Sequence, residues 1–305
     1  VSGISGRITY TQWLNDDGRL EADLTVTQLD EERFLVVATD TAHRHVQAWM
    51  RRHFAPDAHV FVADLSGAWA QLNLQGPRSR ALLQTLTAAD LSNTAFPFRA
   101  AREIDLGYAR VLAVRITYVG ELGWELYVPA EQALHVHECL VEAGRAFGLA
   151  PVGLKALSSL RLEKGYRDYG HDIDNTDDAW EAGLGFALAL DKPGGFIGRD
   201  AAAAQRSAGP SQRRLLQIQL LDPEPLLFHA EVVWRDGVRV GYLRSASYGH
   251  TLGGAVGLAM IDAGQPLDAP WIAAGRWEVE VAGRRVAAKA SLQPLYDPAM
   301  ARVRG

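Results

Sequence analysis

Alternating apolar and polar residues near the start of the chain predict a β-hairpin over residues 7–29. In the second strand, apolar Ala22, Leu24 and Val26 alternate with polar Asp23, Thr25 and Thr27. A period of two is typical of a strand with one buried face and one polar face. Residues 15–18, Asn-Asp-Asp-Gly, predict the turn because glycine adopts a positive φ at little cost. Asp23 is unusual in a strand, so it is either a solvent-facing aspartate or a carboxylate held at a site.

Further along the chain, strands and helices alternate without a regular strand-helix-strand rhythm, which indicates an α+β fold with antiparallel sheets. The predicted strands are residues 34–39, 60–65, 69–74, 110–118 and 124–128. The predicted helices are residues 41–54, a helix opened by Gly-Pro-Arg-Ser at 76–79 that runs through residue 86, and residues 130–147 and 154–163. Residues 88–102 are predicted to be a loop.

The pattern changes after an alanine-rich stretch, residues 201–210, that ends in Gly-Pro and predicts a helix end followed by a linker. Six short strand candidates follow, separated by glycine, proline and aspartate. They are residues 213–221, 231–234, 239–248, 254–260, 277–281 and 284–292. This spacing predicts a β-sandwich or barrel and places a domain boundary near Ser211.

Composition and charge narrow the function classes. The chain has 305 residues, of which 48% are hydrophobic and 22% charged, and its net charge is −5 without basic blocks. A nucleic-acid-binding protein would carry a concentrated positive patch, so that class is not expected. The single cysteine, Cys139, excludes an internal disulfide and fits a reducing compartment such as the cytoplasm, or the mitochondrial matrix in a eukaryote. We expect Cys139 to be buried.

Targeting and metal signals are weak. No apolar run approaches the roughly 20 residues of a membrane span and no signal-peptide pattern opens the chain, so no membrane partner is expected. The pairs His43/His45 and His135/His137 are spaced i, i+2 and cannot share a helix face, so no metal site is expected. The chain opens with Val1 and enters a hairpin within about ten residues, which suggests a fragment of a longer protein.

Common catalytic and cofactor motifs are missing from the sequence. No Gly-x-Gly-x-x-Gly lies between a predicted strand and helix, and no phosphate-binding loop of the Walker type is present. No Gly-x-Ser-x-Gly elbow is present either. A dinucleotide site and a serine hydrolase are therefore not expected.

Three segments stand out together: Glu21-Ala22-Asp23-Leu24, residues 118–125 and residues 159–166. In the second segment a tyrosine and a glutamate flank a Gly-Glu-Leu-Gly turn, and the third reads Ser-Leu-Arg-Leu-Glu-Lys-Gly-Tyr. With Ser-Tyr-Gly-His-Thr-Leu-Gly at residues 247–253, these motifs resemble the folate-binding T protein of the glycine cleavage system. The Leu-Glu-Lys-Gly-Tyr-Arg variant is more similar to the carboxy-terminal half of dimethylglycine and sarcosine dehydrogenases.

The resemblance implies an α+β fold in which a T-protein-like folate-binding body of two interleaved α/β subdomains precedes a C-terminal β-barrel or jelly-roll-like domain. The body would comprise residues 1–210, incomplete at its N-terminus, and the barrel residues 211–305. Tetrahydrofolate is the implied cofactor, and FAD would belong only to an upstream flavin dehydrogenase domain or subunit outside this chain.

The resemblance also implies site residues. Asp23 matches the catalytic aspartate of the family, and Tyr118, Glu125 and Tyr166 match positions that contact folate. The chemistry agrees, because one carboxylate can accept the adjacent N–H and NH₂ donors of a reduced pterin, and tyrosine rings can wall the pterin. An anion near the reacting nitrogens would stabilise a cationic iminium. Taken singly, Glu125 is also an ordinary exposed strand residue, and each tyrosine an ordinary packing residue.

One departure from the family pattern helps to distinguish T proteins from the flavin-linked dehydrogenases. T proteins carry an arginine that contacts folate where this chain has Leu157, and the flavin-linked relatives tend to be apolar there. One helical turn further on, Arg161 is predicted to point toward a carboxylate rather than to bind the glutamate tail of folate.

The resulting expectation is an enzyme that transfers a one-carbon unit from an iminium derived from a methylated glycine to tetrahydrofolate, forming 5,10-methylenetetrahydrofolate. Three alternatives stay open. The first is a glycine-cleavage aminomethyltransferase that works with a lipoyl protein. The second is a folate-dependent demethylase for another methyl donor, and the third is a folate-binding module without transfer activity.

Overall fold

The computed structural model describes residues 3–305, which form three β-sheets and seven α-helices. In chain order, the strands are β1 (Arg7–Leu14), β2 (Leu20–Gln28), β3 (Phe34–Ala38), β4 (Trp69–Gln75), β5 (Ala101–Leu106), β6 (Ala109–Val114), β7 (Gly123–Pro129), β8 (Arg213–Leu220), β9 (Val232–Arg235), β10 (Val238–Gly249), β11 (Gly254–Asp262), β12 (Trp277–Val281) and β13 (Arg284–Ser291). The helices are α1 (His43–His53), α2 (Ser79–Gln84), α3 (Ala133–Gly144), α4 (Leu154–Glu163), α5 (Arg199–Ser207), α6 (Ala269–Ala274) and α7 (Ala301–Arg304).

The chain forms two compact units, each assembled from separate segments. Unit 1 contains the described residues up to Tyr10, together with Leu24–Val152 and Ala299–Gly305. Unit 2 contains Thr11–Asp23 and Gly153–Pro298. The sheet β1-β2-β3, which begins with the predicted hairpin, therefore contributes residues to both units. The domain boundary expected near Ser211 stays a prediction.

Unit 1 is built on an antiparallel sheet of strand order β4-β7-β6-β5. The central strand β7 alternates, as its sequence requires: Trp124, Leu126 and Val128 face a core that includes the buried leucines of α2 and α3. The opposite face carries Glu125 and Tyr127, and Tyr127 packs there against a second cluster that includes Ile8 and Val114. Glu125, one of the predicted site residues, therefore lies on the face of this sheet that also carries Tyr127, opposite the face that packs on the main core.

Unit 2 contains a closed antiparallel barrel with the strand order β10-β11-β8-β13-β12-β9. Closure leaves no free sheet edge, and alternate residues of its strands, such as Leu216, Ile218 and Leu220 of β8, fill the barrel core. The six strands that the sequence predicted after residue 210 are all present. Unit 2 also contains α4, α5 and α6.

Several predictions made from local pattern were wrong in detail. Residues 60–65 form no strand and are largely exposed, because no neighbouring strand pairs with them. Residues 101–106, in part assigned to a loop, form β5 and pair with β6. The strand expected at residues 110–118 ends at Val114, and the helix expected at 130–147 is an α-helix flanked by two 3₁₀ turns, Ala130–Gln132 and Arg145–Phe147.

Three side chains also differ from the expected burial. Thr27, which was expected on a polar face, is buried; its partner across the sheet is Leu35, which packs against the apolar cluster of Ile8 and Val114. Ala22, Leu24 and Val26 are buried as expected, whereas Asp23 and Thr25 are half-buried. Cys139 on α3 is half-buried and not fully buried.

Candidate functional site

Glu125 lies near the start of β7, directly opposite Asn73 of β4 and Val114 of β6. The side chain is half-buried, and Tyr127 Oη donates a hydrogen bond of 2.7 Å to Glu125 Oε2. Among the described residues, Tyr127 is the hydrogen-bond partner that the structure gives to this carboxylate. Each carboxylate oxygen can accept two hydrogen bonds, so Oε1 and the second lone pair of Oε2 can serve as acceptors for a ligand.

Burial raises the pKa of Glu125, and the hydrogen bond from Tyr127 acts in the opposite direction. The same environment raises the pKa of the Tyr127 phenol, first through burial and then through the neighbouring carboxylate, so Tyr127 stays a donor. A carboxylate with one oxygen fixed and a perturbed pKa is typical of a functional site, although structural pairs show it too.

Tyr118 is half-buried in the loop between β6 and β7. The loop is shaped by the Thr117 hydroxyl, which accepts a hydrogen bond of 3.1 Å from the Val119 amide, and by Gly120 at φ +76°. Glycine suits that position because a side chain is strained at positive φ. Tyr118 and Glu125 both belong to unit 1.

Asp23 lies on β2 and accepts a hydrogen bond of 2.8 Å at Oδ1 from Nε2 of Gln12 on β1. Gln12 is buried, at 6% exposure, whereas Asp23 is half-buried. Both residues belong to unit 2. The negative charge of Asp23 also bears on Tyr169, whose pKa is raised to about 12 by burial first and then by Glu21, Asp174, Asp23 and Asp177.

Tyr166 follows α4 and is half-buried in unit 2. Its pKa is raised to about 12 by burial and by the charge of Asp297. Its backbone is held at both ends, because its amide donates to the Arg161 carbonyl at 2.9 Å and its carbonyl accepts from Arg161 Nη1 at 3.0 Å. The position of Tyr166 is thus set by the helix before it.

Arg161 forms an ion pair with Asp172, and both side chains are almost completely buried. The prediction that Arg161 points toward a carboxylate is confirmed. Asp172 Oδ2 also accepts a hydrogen bond of 2.8 Å from the Asp168 amide, so the pair ties α4 to the loop after it. Arg161 is therefore a structural residue of the Leu-Arg-Leu-Glu motif.

Two other polar residues of the segment 159–166, Ser159 and Glu163, bind the barrel of unit 2, a role that the sequence did not reveal. Oε1 of Glu163 accepts hydrogen bonds from the amides of Thr251 and Leu252, at 2.7 and 2.8 Å. Ser159 Oγ donates to the Tyr248 carbonyl at 2.5 Å. The motifs at residues 159–166 and 247–253, which looked like separate signals in the sequence, are thus two sides of one packed contact.

A second set of buried charges lies in the polar stretch that follows α4. Asp177 is fully buried and accepts hydrogen bonds from Arg244, at 2.6 Å, and from Arg213, at 3.1 Å. Glu181 accepts from Arg19 at 3.1 Å and from Arg213 at 3.3 Å. Removing either partner would leave an uncompensated buried charge. Asp177 is also one of the carboxylates that raise the pKa of Tyr169.

The four residues predicted from the sequence are thus divided: Tyr118 and Glu125 lie in unit 1, and Asp23 and Tyr166 in unit 2. The sequence missed Tyr127 and Gln12, which hold Glu125 and Asp23 respectively. For Tyr127 a signal existed, because residues i and i+2 of a strand share a face. For Gln12 no local signal existed, since its partner lies on a different strand.

A surface concavity of roughly 670 Å³ in unit 2 is lined by Asp16 and residues 193–201, and by none of the four candidates. It is wide open and lined mainly by glycine and apolar residues, so the candidate chemistry lies elsewhere. Across residues 3–305, no cluster of three or more His, Cys, Asp or Glu side chains could hold a metal ion. No helix in that range is both long and apolar enough to cross a membrane.

Comparison with known proteins places these features in a family. Residues 2–192 match the GCVT N-terminal domain, and residues 213–297 match the glycine cleavage T-protein C-terminal barrel domain. The chain is 40% identical over 299 residues to 4-methylaminobutanoate oxidase (formaldehyde-forming) of Paenarthrobacter nicotinovorans, covering 98% of this chain and 35% of that protein. It is 33% identical over 324 residues to human mitochondrial sarcosine dehydrogenase, covering 100% of this chain and 35% of that protein.

A solved structure supports the fold. The glycine cleavage system aminomethyltransferase T of Bartonella henselae superposes with a TM-score of 0.80 at 25% identity, over 97% of this chain and 77% of that one. The chain spans about a third of the length of the two oxidoreductases and most of the aminomethyltransferase. With both characteristic domains matched in order, the chain belongs to the glycine cleavage T-protein family, a folate-dependent aminomethyltransferase-type family.

Proposed function

We propose that the chain transfers a one-carbon unit from an iminium-type intermediate of a methylated glycine to tetrahydrofolate, forming 5,10-methylenetetrahydrofolate. The observation that carries this proposal is Glu125: a half-buried carboxylate at the family's folate motif, oriented by the hydrogen bond from Tyr127 to Oε2 and able to accept further hydrogen bonds at both oxygens. A reduced pterin offers adjacent N–H and NH₂ donors, and an ionised carboxylate is the natural acceptor for both. Tyr118 and Tyr166 are proposed to contact the folate rings.

In the proposed reaction, N5 of tetrahydrofolate attacks the CH₂=N⁺ carbon and a new C–N bond forms. Attack by N10 then closes the ring while the bond to the donor nitrogen breaks. The two N–H protons of the folate are lost, one to the departing amine and one to solvent or a base, so charge and atoms balance. Asp23 is proposed to stabilise the cationic carbon centre and to accept the proton released from N5.

Tetrahydrofolate would supply the nucleophilic nitrogens of this reaction, and the residues of unit 1 suit it: Glu125 offers a carboxylate acceptor, and Tyr118 offers a half-buried ring. The iminium is proposed to come from a flavin dehydrogenase domain or subunit outside this chain. Leu157, where T proteins carry an arginine, supports the flavin-linked branch. The single cysteine supports work in a reducing compartment, the cytoplasm or the mitochondrial matrix.

A second candidate is a glycine cleavage aminomethyltransferase that receives its intermediate from a lipoyl protein. Its support is the superposition on the Bartonella henselae enzyme over nearly the whole chain. The two candidates share the folate chemistry and differ in the donor. Methylene transfer from N-methylglycine without a lipoyl protein favours the first, and transfer that requires a lipoyl protein favours the second.

Calorimetry of tetrahydrofolate binding to a Glu125→Gln variant tests the folate role. The amide presents a donor where the pterin also presents donors, and the mispaired group costs about 1–3 kcal/mol, or about 5- to 150-fold in affinity. Glu103→Gln is the matched control, because Glu103 is an exposed glutamate on β5 of the same sheet. Weaker binding by the Glu125 variant alone is the expected result. Equal affinities for parent and variant would contradict the assignment.

A further inference from the structure

Gln12 occupies the buried row of β1, with Ile8 and Leu14 as the buried residues of the same strand. A glutamine is costly there, because a buried amide must have its hydrogen bonds satisfied. Its Nε2 donates to Asp23 Oδ1 at 2.8 Å, but its Oε1 is buried without a hydrogen-bond partner among the described residues. An apolar side chain would avoid that penalty, so the bond to Asp23 explains why an amide stands at this position.

We propose that Gln12 is a positioning residue for the transfer reaction, which fixes the carboxylate of Asp23 in one orientation while leaving its negative charge in place. The proposal rests on the proposed function of Asp23. An amide is an uncharged donor, so it holds Oδ1 without neutralising the carboxylate, whereas a lysine or arginine would offset the charge that meets the cation. Orientation matters because a misplaced group loses much of its effect on the reaction.

The surroundings of this pair are negative. Glu21 lies on the same face of β2 as Asp23, two residues away. Tyr169 donates from Oη to the Leu20 carbonyl at 3.3 Å. The pKa of its phenol is raised by burial and then by the charges of Glu21, Asp174, Asp23 and Asp177. Arg244 and Arg213 bind Asp177. The donor that Gln12 presents from β1 is neutral, so this hydrogen bond adds no positive charge at Asp23.

Two substitutions separate positioning from packing. Gln12→Leu removes the donor and suits the buried row, so the melting temperature should be unchanged or higher. We expect one-carbon transfer to slow about 10- to 100-fold while the Kd for tetrahydrofolate stays at the parent value. Gln12→Glu keeps the shape but places a second carboxyl against Asp23. Only the protonated carboxyl can donate to Asp23, so transfer should be low at neutral pH and recover as the pH falls.

The measurement is transfer from N-methylglycine to tetrahydrofolate by the intact polypeptide, followed across pH, with Asp23→Asn run in parallel. Loss of transfer in Gln12→Leu, and acid recovery in Gln12→Glu, support the positioning role. If both variants keep the parent rate and pH profile while Asp23→Asn loses transfer, Gln12 is a packing residue and the inference is overturned. Parent activity in Asp23→Asn overturns the proposed function instead. If Gln12→Leu does not fold, the pH profile of Gln12→Glu decides.

Discussion

At the scale of single residues, the hydrogen bond from Tyr127 to Glu125 does two things. It orients the carboxylate through Oε2, and it opposes the effect of burial on the pKa of Glu125. Only the ionised carboxylate accepts both pterin donors. Folate binding is therefore expected to weaken as the pH falls through the raised pKa of Glu125.

Replacing Tyr127 by Phe tests this effect. The ring stays in its apolar cluster, but the donor is lost, so the pKa of Glu125 should rise further and the loss of tetrahydrofolate affinity should begin at a higher pH than in the parent. Calorimetric titrations across pH measure it. Tyr108→Phe is the control, because Tyr108 is exposed at the turn between β5 and β6. An unchanged pH profile for the Tyr127 variant would show that the hydrogen bond does not tune Glu125.

The sequence predicted how single polar side chains are oriented better than it predicted which residues they bind. Strand alternation placed Asp23 opposite a buried row, and Arg161 was predicted to point toward a carboxylate, which the structure confirms. The identity of that partner, Asp172, was not predictable, because it lies in an irregular loop without periodicity. The bond from Gln12 was missed for a similar reason: a donor on a neighbouring strand leaves no mark in the local pattern.

At the scale of elements, α4 is the main anchor in unit 2. The helix was predicted with its observed bounds, and its polar residues bind a barrel segment and its own following loop. Local pattern succeeded for α4 and for the six barrel strands, which glycine, proline and aspartate separate in the sequence. It failed at residues 60–65, whose strand-forming side chains find no partner strand, and at β5, whose charged residues hide a paired strand.

Breaking the buried ion pair of α4 should be expensive. Arg161→Met leaves the Asp172 carboxylate buried without its cation, which costs about 3–5 kcal/mol of the free energy of unfolding. Urea unfolding measures the change. The control is Arg110→Met, which removes an exposed cation from Glu103 and Asp105 and should leave stability nearly unchanged. Equal, small effects in the two variants would mean that the ion pair of Arg161 does not stabilise unit 2.

At the scale of the whole molecule, each compact unit draws on segments that are far apart in the sequence. Unit 1 takes both the first and the last described residues, and unit 2 takes Thr11–Asp23 from the first hairpin. Such an arrangement is set by contacts between distant segments, which no local pattern encodes. The resemblance in motifs supplied what periodicity could not, and the matches to both family domains confirm that membership.

Asp23 is proposed to promote one-carbon transfer to tetrahydrofolate. Its half-buried position on β2 allows Asp23→Asn to keep its size and packing while the negative charge is lost. The loss of one preorganised electrostatic group slows a reaction by about 10²–10³-fold. The variant should therefore bind tetrahydrofolate normally but transfer the one-carbon unit slowly.

The most direct measurement supplies the intact polypeptide with N-methylglycine carrying a labelled methyl group, together with tetrahydrofolate, and follows where the label goes. The parent should place it in 5,10-methylenetetrahydrofolate faster than the uncatalysed background. Asp23→Asn should consume the amine at the parent rate and release the label as free formaldehyde. If Asp23→Asn forms 5,10-methylenetetrahydrofolate at the parent rate above that background, Asp23 is not the catalytic carboxylate and the proposed mechanism is contradicted.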